Sequence, residues 1–246
     1  MRQLVPEALD DVDPDELYPA DARPAPALRP WVLLNMVVSL DGATSVEGRS
    51  GGLGGPADRA VFSTLRSVPD VIMAGAGTVR TEGYGPPRTS EAHQRARVAR
   101  GQAAFPRLAI VSGRLELDLR AELFTATPSR PLVVTHASAP ADRRAAVADV
   151  ADVIVAGDDR VDVAAALAAL RARDVGVVLC EGGPMLNAQL LAAGAVDEVC
   201  VTIDPSLVGG HSARMVATSG PDHVEALRLA RLLEADGVLL ARYVRR

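Results

Sequence analysis

Eight short apolar runs recur along the chain, and amphipathic stretches separate several of them. The first, Trp31-Val-Leu-Leu-Asn-Met-Val-Val38, is apolar at nearly every position, as a strand covered on both faces requires. The others are Val71–Ala74, Leu108–Val111, Leu132–Thr135, Val153–Val155, Val177–Cys180, Val196–Ile203 and Val238–Val244. Pro56 suits the first turn of a helix running to about Arg66, with Ala57, Val61, Thr64, Leu65 and Val68 on one face and Arg66 opposite. Asp162 is a natural cap for a helix to about Arg173, whose Val163, Leu167 and Leu170 point inward, with Gly176 just beyond its end. Pro184 opens another through Met185, Leu186, Leu190 and Leu191, and Gly194 follows it. Strands alternating with helices predict an α/β sandwich with a mostly parallel sheet. The last two runs lack such a helix between them, which predicts an antiparallel closing pair.

Residues 1–29 carry Pro6, Pro14, Pro19, Pro24 and Pro26 and little periodic hydrophobicity. They read as an extended or partly disordered N-terminal arm, ahead of a single domain over 30–246. Aromatic residues make up only 3%, so the core is expected to be aliphatic. Net charge is −5 with no block of like charge, which argues against nucleic acid or an anionic membrane as a partner, since both demand a basic face. No apolar run reaches the roughly 18 residues of a membrane span, and the N-terminus lacks the basic and apolar regions of a signal peptide. Cys180 and Cys200 both fall inside apolar runs and read as buried, reduced thiols. These features together place the protein in the cytoplasm.

Three glycine-marked corners fall where predicted strands end, the place where open α/β sheets bind ligands. Ser39-Leu-Asp-Gly42 leads into Gly48-Arg-Ser-Gly-Gly-Leu-Gly-Gly55, a loop able to move and to let backbone approach a ligand, or simply a flexible surface loop. Gly75-Ala-Gly-Thr78 follows a strand directly, and a short helical turn opening there presents free N–H groups to an anion, with Thr78 as a cap or a phosphate donor. Glu181-Gly-Gly-Pro184 passes from strand to helix; its helix start favours a pyrophosphate, and Glu181 can accept from amino or ring N–H groups of a heterocycle. As plain strand-to-helix turns these corners would need no ligand at all. No P-loop or G-x-S-x-G elbow occurs, and His93, His136, His211 and His223 are scattered without metal spacing. Metal catalysis, phosphoryl transfer and triad hydrolysis are therefore not expected. Chemistry carried by an organic cofactor remains.

The three corners, taken with Asn35-Met-Val-Val-Ser-Leu-Asp-Gly42, Leu65-Arg66, Asp70-Val-Ile-Met-Ala-Gly-Ala-Gly-Thr-Val79, Val196-Asp-Glu198 and Leu207-Val-Gly-Gly210, resemble the pyrimidine reductase family of riboflavin biosynthesis, the RibD C-terminal reductase domain. The resemblance spans about residues 31–244. It implies a dihydrofolate-reductase-like α/β fold, a three-layer sandwich whose mostly parallel central sheet has antiparallel closing strands. It also implies a homodimer that reduces a ribosylamino-pyrimidine phosphate with NADPH. By position it assigns Gly52, Gly75, Gly77, Thr78, Glu82, Ser112, Gly182, Gly183, Pro184, Met185 and Leu186 to the cofactor. Asn35, Ser50, Arg66 and Glu181 face the substrate, with Arg66 on its phosphate, and Asp41 and Glu181 are the candidate proton sources. Arg114 is placed to read the cofactor's 2′-phosphate. Members often carry lysine where Asn35 stands and aspartate where Glu82 stands, and the deaminase domain often fused ahead of the reductase is absent. Those departures leave two alternatives open, a dihydrofolate or other pterin reductase on the same fold, and a non-catalytic nucleotide-binding module.

Overall fold

A computed structural model describes residues 1–217 and 224–246, so His223 lies outside the described residues. The chain forms two compact units. One comprises Met1–Ala22, Val32–Val68 and Cys180–Arg246; the other comprises Arg23–Trp31 and Pro69–Leu179.

The first unit holds β1 (Arg2–Val5), α1 (Pro14–Ala20), β2 (Trp31–Ser39, from Val32 on), α2 (Gly55–Arg66), α8 (Pro184–Ala192), β8 (Glu198–Asp204), β9 (Leu227–Ala235) and β10 (Val238–Arg245). Its strand order is β1-β9-β10-β8-β2. β8 runs parallel to β2 and sets Ser39 opposite Asp204. β10 is antiparallel to both β8 and β9, and β1 closes the edge antiparallel to β9. The expected antiparallel pairing of the runs at 196–203 and 238–244 is present. α2 starts where the sequence predicts. Gly54, left-handed at φ 80°, is its N-cap, Pro56 sits in its first turn, and Val61, Thr64 and Leu65 are buried. Its glycine has a reason to be glycine, because a Cβ there would lie 2.4 Å from the Asp58 Cβ.

The second unit holds β3 (Val71–Gly75), α3 (Ala76–Glu82), α4 (Glu91–Ala99), β4 (Arg107–Val111), α5 (Glu122–Thr125), β5 (Leu132–Thr135), α6 (Ala141–Val150), β6 (Asp152–Val155), α7 (Val163–Arg171) and most of β7 (Val177–Cys180). Its strand order is β7-β3-β4-β5-β6, and β3, β4, β5 and β6 pair in parallel. Asp162 caps α7 as expected, accepting from the N–H groups of Ala164 and Ala165. Leu167 and Leu170 beneath it are fully buried. The base of β3 is locked by polar contacts the sequence did not announce. Asp70 accepts from the N–H groups of Gly176 and Val177, and the buried Arg97 guanidinium donates to the Ala103 and Pro69 carbonyls. Burial pushes the Arg97 guanidinium down to about 10.

Two departures from the sequence reading concern the first unit. Residues 1–29, expected as an extended or partly disordered arm, contain β1 and α1. Tyr18 on α1 is 1% exposed, and Asp21 just after it accepts a bidentate pair of bonds from Arg231 at 2.7 and 2.9 Å. Thr64 of α2 donates to Asp15 of α1. Proline-rich sequence hid a helix because Pro14 occupies a first turn, where a missing N–H costs nothing. The other departure is β9, whose Leu-Arg-Leu-Ala-Arg-Leu-Leu-Glu-Ala composition favours a helix. Pairing along nearly the whole of β10 overrides that propensity. Both cysteines are free and buried, and burial pushes the Cys180 thiol up to about 12. No helix among the described residues is long and apolar enough to cross a membrane.

Candidate active site

In the first unit the Glu181-Gly-Gly-Pro184 corner follows Cys180 and runs into α8, with Gly183 as an N-cap that offers no side chain to the helix start. The backbone N–H groups of that first turn are thus left to solvent or to a ligand. Gly182 has φ +92°, a backbone strained for any residue with a side chain, and a Cβ on it would lie 3.3 Å from the Met36 sulfur, a tight approach to β2. Leu186 is buried, so it can offer a ligand only main chain, whereas Met185 is exposed. Asn187 fixes the helix start from below by donating to the Met215 carbonyl at 2.9 Å.

Glu181 and Arg66, both assigned to the substrate by the resemblance, are brought together. Arg66 Nε and Nη2 donate to the two carboxylate oxygens of Glu181, each at 2.7 Å. The Glu181 side chain is 2% exposed and that of Arg66 23%. Arg66, at the last turn of α2, also lays its guanidinium 4.3 Å from the Phe62 ring centroid, a cation–π contact. The sequence placed Arg66 on the polar side of its helix; the structure gives it a buried partner 115 residues away. Asn35, near the middle of β2, is 9% exposed, and its carboxamide has no hydrogen bond among the described residues. Its amide atoms keep some access to solvent and so stay open to a ligand.

Asp41, which the sequence named as a candidate proton source, has its carboxylate bound as a latch. Ser39 Oγ donates to it, as do the N–H groups of Val208 and Gly209 at 3.1 and 2.7 Å. Those bonds hold its pKa down at about 2, against an ordinary 3.8, so it carries no proton to give near neutral pH. A second tie joins the same segments. Ser212 Oγ accepts from the N–H groups of Thr44 and Ser45, and Thr44 Oγ1 donates to the Ala213 carbonyl. The glycine loop is anchored at its far end, where Gly54 N–H donates to Asp204 at 2.7 Å. Ser50 and Gly52 lie between in a 3-10 turn, and a Cβ on Gly52 would meet Val46 at 3.3 Å. Ser212 and Asp204 escaped the sequence reading because single hydrogen-bonding side chains carry no periodic signal.

The Asp41 latch makes acid sensitivity testable. A carboxyl with a depressed pKa contributes above its unfolded value and loses that contribution as pH falls through the folded one. The latch should therefore hold in full above about pH 4 and release as pH falls through about 2. In Asp41→Asn, the Val208 and Gly209 amides are expected to exchange hydrogen roughly tenfold faster at neutral pH. Unchanged protection of those two amides in the variant would refute the latch.

In the second unit, Gly75 is the N-cap of α3, again without a side-chain cap, so Thr78 does not cap that turn. Gly77 and Thr78 lie in its first turn and Glu82 at its end. No heavy atom lies within 4 Å of a Cβ built on Gly75 or Gly77, so both face open space. β3 and β4 pair in register with Gly75 opposite Val111, which puts Ser112 at the C-terminal tip next to this corner. Ser112 is 6% exposed, and its Oγ accepts from Leu115 N–H at 3.1 Å, leaving the hydroxyl hydrogen to another acceptor. The Thr78 hydroxyl has no partner among the described residues. Uncapped helix starts and spare hydroxyl donors at the C-terminal ends of parallel strands fit the phosphates and ribose of a nucleotide.

An α/β chain with glycine corners at strand ends and a buried Arg–Glu pair beside one of them has the make-up of an enzyme that takes a small polar ligand at its strand ends. The RibD C-terminal domain family matches residues 30–240, and the chain belongs to that family. It is 30% identical over 209 residues to the 2,5-diamino-6-ribosylamino-4(3H)-pyrimidinone 5′-phosphate reductase of Archaeoglobus fulgidus, covering 83% of this chain and 93% of that one. It is 33% identical over 204 residues to the reductase of the same name from Methanothermobacter thermautotrophicus, covering 82% and 91%. Among solved structures, a pyrimidine reductase-like protein of Corynebacterium diphtheriae superposes with a TM-score of 0.85 at 29% identity, covering 96% of this chain and 99% of that one. A riboflavin biosynthesis reductase of Saccharomyces cerevisiae shares the fold, with a TM-score of 0.68 at 18% identity over 90% and 92%. The fold is thus the dihydrofolate-reductase-like one expected.

Proposed function

We propose that this protein uses NADPH to reduce a ribosylamino-pyrimidine 5′-phosphate, in the cytoplasm and as a homodimer, with residues 30–246 as the reductase domain. The observation that carries the reading is the Glu181 carboxylate, held by Arg66 at the glycine-framed end of β7. A carboxylate fixed at both oxygens is a preorganised acceptor for the N–H groups of an aminopyrimidine. Arg66 brings positive charge to the same place, which suits the substrate's phosphate. The buried Asn35 carboxamide adds one donor and one acceptor for a heterocycle edge. Ser50, on the glycine loop, faces the same substrate. In the second unit, Gly75, Gly77, Thr78, Glu82 and Ser112 would hold the adenylate and phosphates of the cofactor; in the first, Gly52 and the stretch Gly182 to Leu186 belong to it as well.

NADPH, when bound, supplies the hydride. The chain's own work is then orientation and exclusion of water, since a hydride acceptor must sit about 3–3.5 Å from its donor. Both carboxyl groups named as proton sources are held as carboxylates, Asp41 by its loop and Glu181 by Arg66, so water supplies the proton and either group can only relay it. The test is loss of NADPH absorbance in the near ultraviolet with two substrates in parallel, the 2,5-diamino-pyrimidinone and the 5-amino-uracil ribosylamino phosphates. Saturable turnover of either is the expected result. Failure to turn over both, in protein shown to bind NADPH, would refute the substrate class.

A further inference from the structure

We propose that residues 204–217 form a strap that links the glycine loop to the cofactor corner of α8, with Ser212 and Asn187 as the positioning residues at its two ends. The role rests on the function proposed above and adds to it how cofactor binding orders the substrate side of the site. Every residue on this path belongs to the first unit.

One end of the strap is tied to the loop. Gly54 N–H donates to Asp204 at 2.7 Å, Leu40 N–H donates to the Ser206 carbonyl at 2.9 Å, and Asp41 accepts from the N–H groups of Val208 and Gly209. Ser212 makes the densest of these ties. Its Oγ accepts from the N–H groups of Thr44 and Ser45, both at 3.1 Å, and lies 3.1 Å from Ser45 Oγ. Thr44 Oγ1 returns a bond to the Ala213 carbonyl at 2.9 Å. A single side chain of the strap thus fixes two consecutive amides in the segment that leads into the glycine loop.

The other end is tied to α8. Ala217 N–H donates to the Pro184 carbonyl at 3.2 Å, and Asn187 Nδ2 donates to the Met215 carbonyl at 2.9 Å. Asn187 is 0% exposed and lies one turn into the helix. Its Oδ1 accepts from Cys180 Sγ at 3.4 Å, and its Nδ2 also lies 3.5 Å from the Met36 sulfur. One carboxamide therefore joins the strap, β2 and the end of β7 to the first turn of α8. Little apolar packing adds to these bonds. Leu207 is 77% exposed, and a cavity of about 380 Å³ lies between residues 208–213 and Ser45, Glu47 and Gly48. A segment held by polar anchors instead of a packed apolar face opens locally at low free-energy cost.

Opening of the strap withdraws an acceptor from the buried Asn187 amide and a donor from the Pro184 carbonyl, so the first turn of α8 is best formed when the strap is closed. A ligand that binds the formed turn favours the closed strap by its differential affinity for the two states. Through Ser212 the closed strap fixes Thr44 and Ser45, and linkage makes the effect reciprocal, so an ordered loop tightens the cofactor in turn. Loading the corner at 182–186 thereby orders the loop that carries Ser50.

Amide hydrogen exchange reads the link without turnover. In wild type, saturating NADPH is expected to slow exchange at Thr44 and Ser45 by roughly fivefold or more. Without ligand, the same two amides should exchange about tenfold faster in Ser212→Ala than in wild type. Asn187→Ala and Asn187→Leu cut only the far end of the strap, and either serves if the other fails to fold. There the response of Thr44 and Ser45 to NADPH should fall below about twofold, although Ser212 still accepts from both. A response of full size in the Asn187 variant would come from the ligand touching the loop directly, and it would overturn the link. Unchanged exchange in Ser212→Ala, or wild type that binds NADPH saturably with no change at Thr44 and Ser45, overturns it as well. Wild type without saturable NADPH binding would instead overturn the reductase reading beneath it.

Discussion

Arg66→Ala is expected to lower kcat/KM for the phosphorylated substrate by about 30- to 100-fold, the equivalent of one or two lost charge-assisted hydrogen bonds. It should also cost about 3 kcal/mol of stability, because it leaves a carboxylate buried without its counter-charge. Both effects come from one geometry, the bidentate contact of Arg66 with a Glu181 side chain that is only 2% exposed. Two further measurements separate them. Arg66→Met combined with Glu181→Leu removes both charges, so stability should return toward wild type while activity stays lost. The substrate lacking its 5′-phosphate should already be poor for wild type, and Arg66→Ala should worsen it little. If the variant retains a wild-type KM for the phosphorylated substrate, Arg66 serves the fold alone.

What the sequence made legible was whatever repeats locally. All eight apolar runs became strands, from β2 to β8 and β10, because continuous Val, Ile and Leu in short runs reports burial on both faces. The starts of α2, α7 and α8 were equally plain, since Pro56, Asp162 and Pro184 act through backbone geometry within one turn. β9 was invisible for the opposite reason: its residues suit a helix, and only its partner strand makes it extended. At the site the same division holds. The glycine corners at 75–78 and 181–184 could be read because each follows an apolar run directly, although only Gly182, at φ +92°, has a backbone that dictates glycine. The pairing of Arg66 with Glu181, the commitment of Asp41 to Val208 and Gly209, and the approach of His136 to Gly113 each join segments far apart in the chain. No local pattern encodes such contacts.

The second large effect lies away from the chemistry, where Arg242→Ala is expected to destabilise the protein by about 3–5 kcal/mol. Arg242 on β10 donates to Glu198 Oε1 at 2.7 Å and lies 3.2 Å from Asp21. Glu198 opens β8 with a side chain that is 0% exposed, and the variant would strand that charge in the core. Asp21 has a second partner in Arg231, whose guanidinium stands 5.3 Å from the Tyr18 ring centroid, so it should tolerate the loss better. This inequality gives the experiment its internal control. Asp21→Ala should cost less than Arg242→Ala, since Arg242 keeps Glu198 and Arg231, 12% exposed, keeps its place over the Tyr18 ring. Denaturant unfolding of the two single variants and of Arg242→Met with Glu198→Leu checks the ledger of charges. The paired apolar replacement should recover most of the stability, as buried ion pairs often contribute little over a well-packed apolar pair. Equal losses in the single variants, with no recovery in the pair, would mean that packing around β10 rather than charge compensation holds residues 1–22 in place.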